Sequence, residues 1–337
     1  MVRRSSQGCS VQGCSVSMTG LALALAGCTG PLSALDPAGE AADAIATLFW
    51  SMAAGAVVIW LAVVALAVYA IYRPSRVFSR RAGTMLIVGG GVVLPLVVLT
   101  VVLVYGLMLL PRLLAPVPAT SLKIAVAGEQ WWWRVRYLPP GSPPVELANE
   151  IRLPVGEPVE LSLTSPDVIH SFWIPSLAGK MDMIPGRVTR LALRPVRTGV
   201  FRGVCAEYCG IAHALMGFPV MVLEPQEFAR WLARQAGPAA APADPDAARG
   251  QALFLANGCG ACHAIRGTAA RGVVGPDLTH VGGRLSLGAG ILGNEPATFA
   301  RWIARTEQVK PGVHMPAFGM LPPADVRALA AYLDSLQ

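Results

Sequence analysis

The stretch Cys205-Ala-Glu207-Tyr-Cys209-Gly-Ile-Ala-His213-Ala-Leu-Met216 places two thiols, an imidazole and a thioether within twelve residues of a 337-residue chain. A second imidazole, His170, stands in Ser165-Pro-Asp167-Val-Ile-His170-Ser-Phe-Trp173. Thiolates, imidazoles and a thioether together select copper over hard ions such as Mg²⁺ or Ca²⁺. A single blue-copper ion takes two His, one Cys and a weak axial Met, so this set holds one Cys too many. The surplus is accommodated if Cys205 and Cys209 both bridge two copper ions. Each ion then takes one His, with weaker axial contacts from Met216 and a backbone carbonyl. Two ions sharing one electron through two thiolates spread the charge change over many bonds, which suits fast outer-sphere electron transfer. The competing readings are a disulfide or zinc for the Cys pair, and a packed core histidine for His170 taken alone.

A second constellation is Cys259-Gly-Ala-Cys262-His263, the attachment signature of a c-type haem. The two thiols bond the vinyl groups and His263 takes one axial position on the iron. A low-spin carrier needs a second axial ligand. The segment Lys310-Pro-Gly-Val-His314-Met315-Pro316-Ala-Phe318 resembles the Met-Pro-x-Phe loop of class I cytochromes c, 52 residues after His263, which implies Met315 in that role. Met320 and His314 are its rivals. Met and His ligation raises the potential, as a carrier requires. Gly275-Pro276-Asp-Leu278 resembles the loop whose proline carbonyl orients the haem-ligating His. Trp302 and Arg284 are candidates for the propionates, against a packed Trp and a solvated Arg. With a closing amphipathic helix over Ala324–Leu336, residues 246–337 resemble a small all-α class I cytochrome c domain.

Such centres need rigid scaffolds. From about Leu122 to Val222 the chain alternates in short runs, as in Val159–Thr164 and Val188–Leu193, broken by Pro and Gly. The pattern predicts an all-β sandwich or barrel; a helix is expected only at Glu224–Ala236. Gln235–Pro245 is Ala/Pro-rich and reads as a semi-rigid spacer. Upstream, hydrophobic residues make up 54% of the whole and charged ones only 14%, and the reason lies in two runs. No charge occurs from Ala44 to Tyr72 or from Ala82 to Pro111, and each run exceeds the roughly 20 residues that span a bilayer. The turn between them carries Arg73, Arg76, Arg80 and Arg81 and no acid, which by the positive-inside rule is cytoplasmic. Pro95 is expected to kink the second span, and Gly89-Gly90-Gly91 to allow close approach of another helix. The net charge of +7 does not point to nucleic acid, because no basic run is interleaved with aromatics. At the start, Arg3 and Arg4 precede an apolar stretch ending Leu25-Ala26-Gly27-Cys28. This reads as an export signal and resembles a lipoprotein lipobox, with Cys28 acylated and Cys9 and Cys14 discarded.

The spacing Cys-x-Glu-x-Cys-x-x-x-His-x-x-Met with an upstream His closely resembles the dinuclear CuA site of cytochrome c oxidase subunit II. The resemblance runs over roughly residues 40–236 and includes Trp131-Trp132-Trp133 and the stretch Leu177–Arg187. It implies a multidomain chain: a signal peptide (1–27), a two-helix transmembrane hairpin (28–112, spans about 44–72 and 83–111) and a cupredoxin-like CuA domain (113–236). A linker (237–245) and the cytochrome c domain (246–337) complete it. It also implies copper ligation by His170, Cys205, the Glu207 carbonyl, Cys209, His213 and Met216. The Glu207 carboxylate would reach Mg or Mn shared with subunit I, and Asp167 would be an acid near the subunit interface. Trp131 matches an exposed aromatic through which electrons enter, while Trp132 and Trp133 read as packing. Unlike mitochondrial-type members, the second span has no acid to feed a proton channel.

Together the parts resemble subunit II of caa-type haem–copper oxidases, in a bacterial cell membrane with both redox domains on the periplasmic side. The implied partners are subunit I and other oxidase subunits, the lipid bilayer, and a soluble c-type cytochrome or upstream respiratory complex as donor, with no nucleic acid. O₂ would be reduced to water in subunit I, coupled to proton translocation, since this chain has no ligand set for an O₂-reducing centre. The alternatives are a CuA-containing subunit of a nitric oxide reductase and a non-enzymatic lipoprotein copper or electron carrier. A quinol oxidase subunit would lack Cys205 and Cys209.

Overall fold

The computed structural model describes residues 28–72 and 79–337. The export signal expected over 1–27, with Arg3, Arg4, Cys9 and Cys14, and the turn residues Arg73 and Arg76 lie outside the described residues. Helix α1 (Glu40–Tyr72) and a second helical stretch, Arg80–Leu113, are each long and apolar enough to cross a membrane, and nearly all of their side chains are exposed. Unbroken exposed apolar surface of this length is stable in hydrocarbon rather than water. α1 begins four residues before the uncharged run, because Glu40 and Asp43 in its first turn suit the positive end of the helix dipole.

The second stretch has three parts. α2 (Arg80–Met85) starts at Ser79, whose hydroxyl accepts from the Ala82 amide. The backbone then widens into a π-helical segment, Leu86–Val93, and returns to α geometry in α3 (Leu94–Leu113). The wide turn falls just before Pro95, which has no N–H for the carbonyl one turn back. The three glycines 89–91 have open space around them within this chain.

Ten strands follow: β1 (Leu122–Glu129), β2 (Trp132–Leu138), β3 (Val145–Ala148), β4 (Ile151–Pro154), β5 (Val159–Thr164), β6 (His170–Trp173), β7 (Met181–Met183), β8 (Thr189–Leu193), β9 (Gly199–Cys205) and β10 (Gly217–Leu223). They form two five-stranded sheets, ordered β3-β2-β1-β5-β8 and β4-β10-β9-β6-β7. The period-2 burial of β1, β2 and β5 turns Ile124, Val126, Trp133, Val135, Leu161 and Leu163 inward. From the facing sheet, Phe172 stacks on Phe218 at 4.9 Å, and Trp133 meets both edge-on. Gly203 on β9 lies opposite Phe218, and a Cβ there would fall 2.0 Å from the ring. Helix α4 (Pro225–Ala236) closes this domain by burying Phe228 and Trp231 on Tyr137.

After the spacer, Asp244 caps α5 (Pro245–Ala256) by accepting from the Ala247 amide at 2.8 Å. α6 (Pro296–Ala304), the single turn α7 (Thr306–Val309) and α8 (Pro323–Ser335) complete an all-α domain. α5 and α8 approach so closely at Gly250 that a Cβ there would lie 2.0 Å from the Ala328 carbonyl oxygen. The two domains are bonded directly. Leu285 N donates to Glu150 Oε2 at 2.6 Å, Gly217 N to Ala289 O at 3.0 Å and Arg134 Nη2 to Val273 O at 2.9 Å.

Candidate functional site

Cys205 ends β9, and its amide donates to the Met216 carbonyl at 2.9 Å, so the segment between them closes on itself as a loop. His170 opens β6, whose pairing of Phe172 with Cys205 carries it to the same end of the sandwich. The donors converge. Cys205 Sγ and Cys209 Sγ are 3.7 Å apart, far beyond the ~2.05 Å of a disulfide. His170 Nδ1 lies 3.8 Å from Cys205 Sγ and His213 Nδ1 3.6 Å from Cys209 Sγ. Met216 Sδ is 3.8 Å from Cys209 Sγ, and the Glu207 carbonyl oxygen 3.2 Å from Cys205 Sγ. Each imidazole thus turns Nδ1 to its own sulfur, with a thioether and a carbonyl at the periphery. Two soft thiolates flanked by separate imidazoles fit copper better than a harder ion. The Glu207 carboxylate side is exposed.

The shell behind these donors is tightly bonded. His170 Nε2 pairs with Asp167 Oδ1 at 2.9 Å, which leaves Nδ1 for the metal. Asp167 Oδ2 accepts from the Gln130 amide at 2.7 Å. Gln130 Nε2 and Trp131 Nε1 both donate to the Cys209 carbonyl, at 2.7 and 2.9 Å. The hydrogen bond between the two sulfurs shifts them in opposite directions. Cys205 is pushed down to about 3 by the hydrogen bond from Cys209, which outweighs its burial, while Cys209 is pushed up by that same bond and by burial. Burial opposes the charge on His170, but the bonds to Cys205 and Asp167 prevail and raise its pKa.

In the second domain, Cys259 and Cys262 lie at a 3₁₀ turn. His263 Nδ1 bonds to the Pro276 carbonyl at 2.8 Å, so Nε2 is the nitrogen left for an iron. Burial lowers the His263 pKa and favours the neutral, ligating imidazole. A Cβ at Gly275 would fall 2.6 Å from His263 Cε1, so only glycine admits the ring here. These features suit a covalently held haem. Met315 is half-buried on the loop between α7 and α8, whereas His314 and Met320 are exposed. Arg284 gives a guanidinium N–H to the Asp277 carbonyl, and Trp302 packs beside Gly288. Cys28 is half-buried and its carbonyl accepts from Ser33 Oγ.

One expectation needs correction. Trp131 is not an exposed aromatic: it is 7% accessible. A Cβ at Gly312 of the Met315 loop would lie 3.0 Å from its Cη2, and a Cβ at Gly210 of the copper loop 2.8 Å from its Cζ2. The cytochrome domain covers the indole. The residue missed altogether is Lys310, which is fully buried and bonded across the domain boundary. Its neighbours in sequence, Pro311 and Gly312, mark a turn but give no sign of its partners.

Residues 139–224 match the family described as cytochrome C oxidase subunit II, periplasmic domain, and residues 247–337 match the cytochrome c family. Subunit 2 of cytochrome c oxidase from Alkalihalophilus pseudofirmus is 37% identical over 217 residues, 64% of this chain and 62% of that protein. The counterpart from Bacillus sp. strain PS3 is 33% identical over 228 residues, 64% of this chain and 63% of that protein. The chain thus spans somewhat under two thirds of the length of these relatives. Among solved structures, the periplasmic domain of subunit II of cytochrome oxidase from Bradyrhizobium japonicum is 33% identical. It covers 36% of this chain and 96% of that one, with a TM-score of 0.33. The subunit II domain implies copper and the cytochrome c domain implies haem. Two apolar helices, a β-sandwich with converging sulfur and imidazole donors, and a helical domain with a Cys-x-x-Cys-His turn occur in this order in one chain, which belongs to the cytochrome c oxidase subunit II family and carries a fused cytochrome c domain.

Proposed function

We propose that this chain is the electron-accepting subunit of a caa-type haem–copper oxidase. Electrons enter at the haem attached to Cys259 and Cys262, pass to a dinuclear copper pair, and leave to subunit I, where O₂ becomes water with proton translocation. When bound, the haem and the copper pair supply one-electron redox couples. His263 and Met315 would hold the first, with Pro276 orienting His263 and Trp302 and Arg284 placed to meet its propionates. His170, Cys205, the Glu207 carbonyl, Cys209, His213 and Met216 hold the second. The Glu207 carboxylate serves a Mg or Mn shared with subunit I. The two spans anchor the chain in a bacterial cell membrane with both domains on the periplasmic side, and Cys28 is a lipidation site. A soluble c-type cytochrome or an upstream respiratory complex donates to the haem.

The observation that carries this reading is the placement of Trp131. Its ring lies between Gly210 of the copper loop and Gly312 of the Met315 loop, and its Nε1 bonds to Cys209. Packed atoms therefore run unbroken from one ligand loop to the other. The tether also keeps the two domains at high effective concentration, so no acidic docking face is required. The test is O₂ and NO uptake by the detergent-purified complex, with wild type compared to Cys209→Ser. Cyanide-sensitive O₂ uptake that is largely lost in the variant, with the haem c spectrum retained, supports the proposal. NO uptake without O₂ uptake would move the chain to a nitric oxide reductase.

A further inference from the structure

Lys310 is 1% exposed, and its Nζ donates to three backbone carbonyls: Trp131 at 2.6 Å, Leu215 at 2.8 Å and Gly288 at 2.9 Å. Burial lowers the pKa of this amine to about 7; when charged it has three protons, and here each has its own acceptor. The acceptors come from three separate segments. Trp131 carries the indole between the two loops, Leu215 precedes the copper-site residue Met216, and Gly288 belongs to the cytochrome domain. Lys310 itself opens the loop that leads to Met315. Two residues on, Gly312, at φ +79°, is seated against Trp131 and Ile211. The other interdomain bonds through Arg134, Glu150, Arg152 and Arg266 involve different loops. Among the described residues, Lys310 alone bonds the Met315 loop to the copper domain.

A buried lysine is costly unless its charge is matched by good acceptors. An apolar side chain of similar length would fill the same space without that cost, so the ammonium points to a demand for directional bonds. We propose that Lys310 is a positioning residue that pins the Met315 loop to the Trp131 and copper-loop backbone, and so sets the docked geometry of the two redox domains. This rests on the electron-transfer reading above. Two of its three acceptors belong to the other domain, 95 and 179 residues away in the chain.

The test uses the full chain in detergent with both centres loaded, comparing wild type with Lys310→Met, which keeps the side-chain length and removes all three bonds. Two amides report docking by hydrogen exchange: Gly217, bonded to Ala289, and Leu285, bonded to Glu150. The rate of haem-to-copper transfer after flash reduction is measured on the same samples. The expected result is faster exchange at both amides and transfer slowed at least about tenfold, the net effect of losing even one such bond. The haem c spectrum, the copper EPR signal and direct reduction of the copper by a small dye should be unchanged. Wild-type exchange and transfer in the variant would overturn the proposal. So would failure of both Lys310→Met and Lys310→Gln to load haem or copper, which would make Lys310 a folding residue of its own domain. A wild-type chain that binds neither centre would sink the electron-transfer reading instead, and the exchange comparison would still decide the clamp.

Discussion

The indole nitrogen of Trp131 donates to the carbonyl oxygen of Cys209 at 2.9 Å, so the aromatic that separates the two domains is fastened to one cysteine of the converging sulfur pair. Gln130 Nε2 donates to the same oxygen. Trp131→Phe keeps most of the ring and removes one donor, leaving Cys209 its second partner. The expected loss of stability is about 1 kcal/mol, with copper retained. Trp131→Ala instead empties the space under Gly312 and is expected to cost roughly 3–5 kcal/mol. Denaturant unfolding followed by copper absorbance checks both values. Flash reduction of the haem should show slower transfer to copper in the Ala variant than in the Phe variant. Equal rates in all three proteins would remove Trp131 from the route.

Much of this site is legible in the sequence because its donors are local. Cys205, Cys209, His213 and Met216 share one loop, and Cys259, Cys262 and His263 share one turn, so the sequence itself brings these donors together. His170 is harder, since only the pairing of β6 with β9 brings it to the thiols. The strands Val159–Thr164 and Thr189–Leu193 follow from period-2 alternation. The π-helical turn before Pro95 does not, because apolar patterning marks a span without its hydrogen-bond register. Lys310 lies beyond such reading for a different reason. Its acceptors are backbone carbonyls, which every residue carries, and which become its partners only once the domains dock. The burial of Trp131 has the same origin: an exposed aromatic is expected of the copper domain by itself, and the fused domain covers it.

Copper loading should depend steeply on pH, and the sign follows from the opposed shifts of the two thiols. The hydrogen bond from Cys209 holds the Cys205 thiol well below its usual range, and that bond and burial push Cys209 up. If the two sulfurs hold copper as proposed, both must be deprotonated, so loading would expel the Cys209 proton. His170, whose pKa is raised by Cys205 and Asp167 against the effect of burial, must also lose its proton to ligate through Nδ1. Counting these two groups, affinity should rise with pH by about tenfold per unit above the His170 titration and about a hundredfold per unit below it. Competition against a chelator of known proton affinity, repeated across pH 5 to 9, measures the slope. A flat profile would mean that the thiol pair is already fully ionised without metal.

The cytochrome domain offers a test of packing that leaves the copper site alone. Gly250 lies in α5 where a Cβ would fall 2.0 Å from the Ala328 carbonyl oxygen and 2.6 Å from its carbon, so the obstacle is backbone. Gly in a helix interior ordinarily costs about 1 kcal/mol relative to Ala, and on propensity alone Gly250→Ala should stabilise. Overpacking opposes this, because α5 and α8 must separate to admit the methyl, at a cost of typically 1–3 kcal/mol. The helices also share Phe254 and Tyr332, whose rings meet edge-on at 5.9 Å, so separation weakens that contact too. The net expectation is destabilisation by about 1–2 kcal/mol, seen as a lower unfolding midpoint in the Soret circular dichroism. Copper absorbance should unfold at its wild-type midpoint if the sandwich is unaffected. A raised Soret midpoint would show that the helix pair yields at Gly250, and that propensity outweighs packing there.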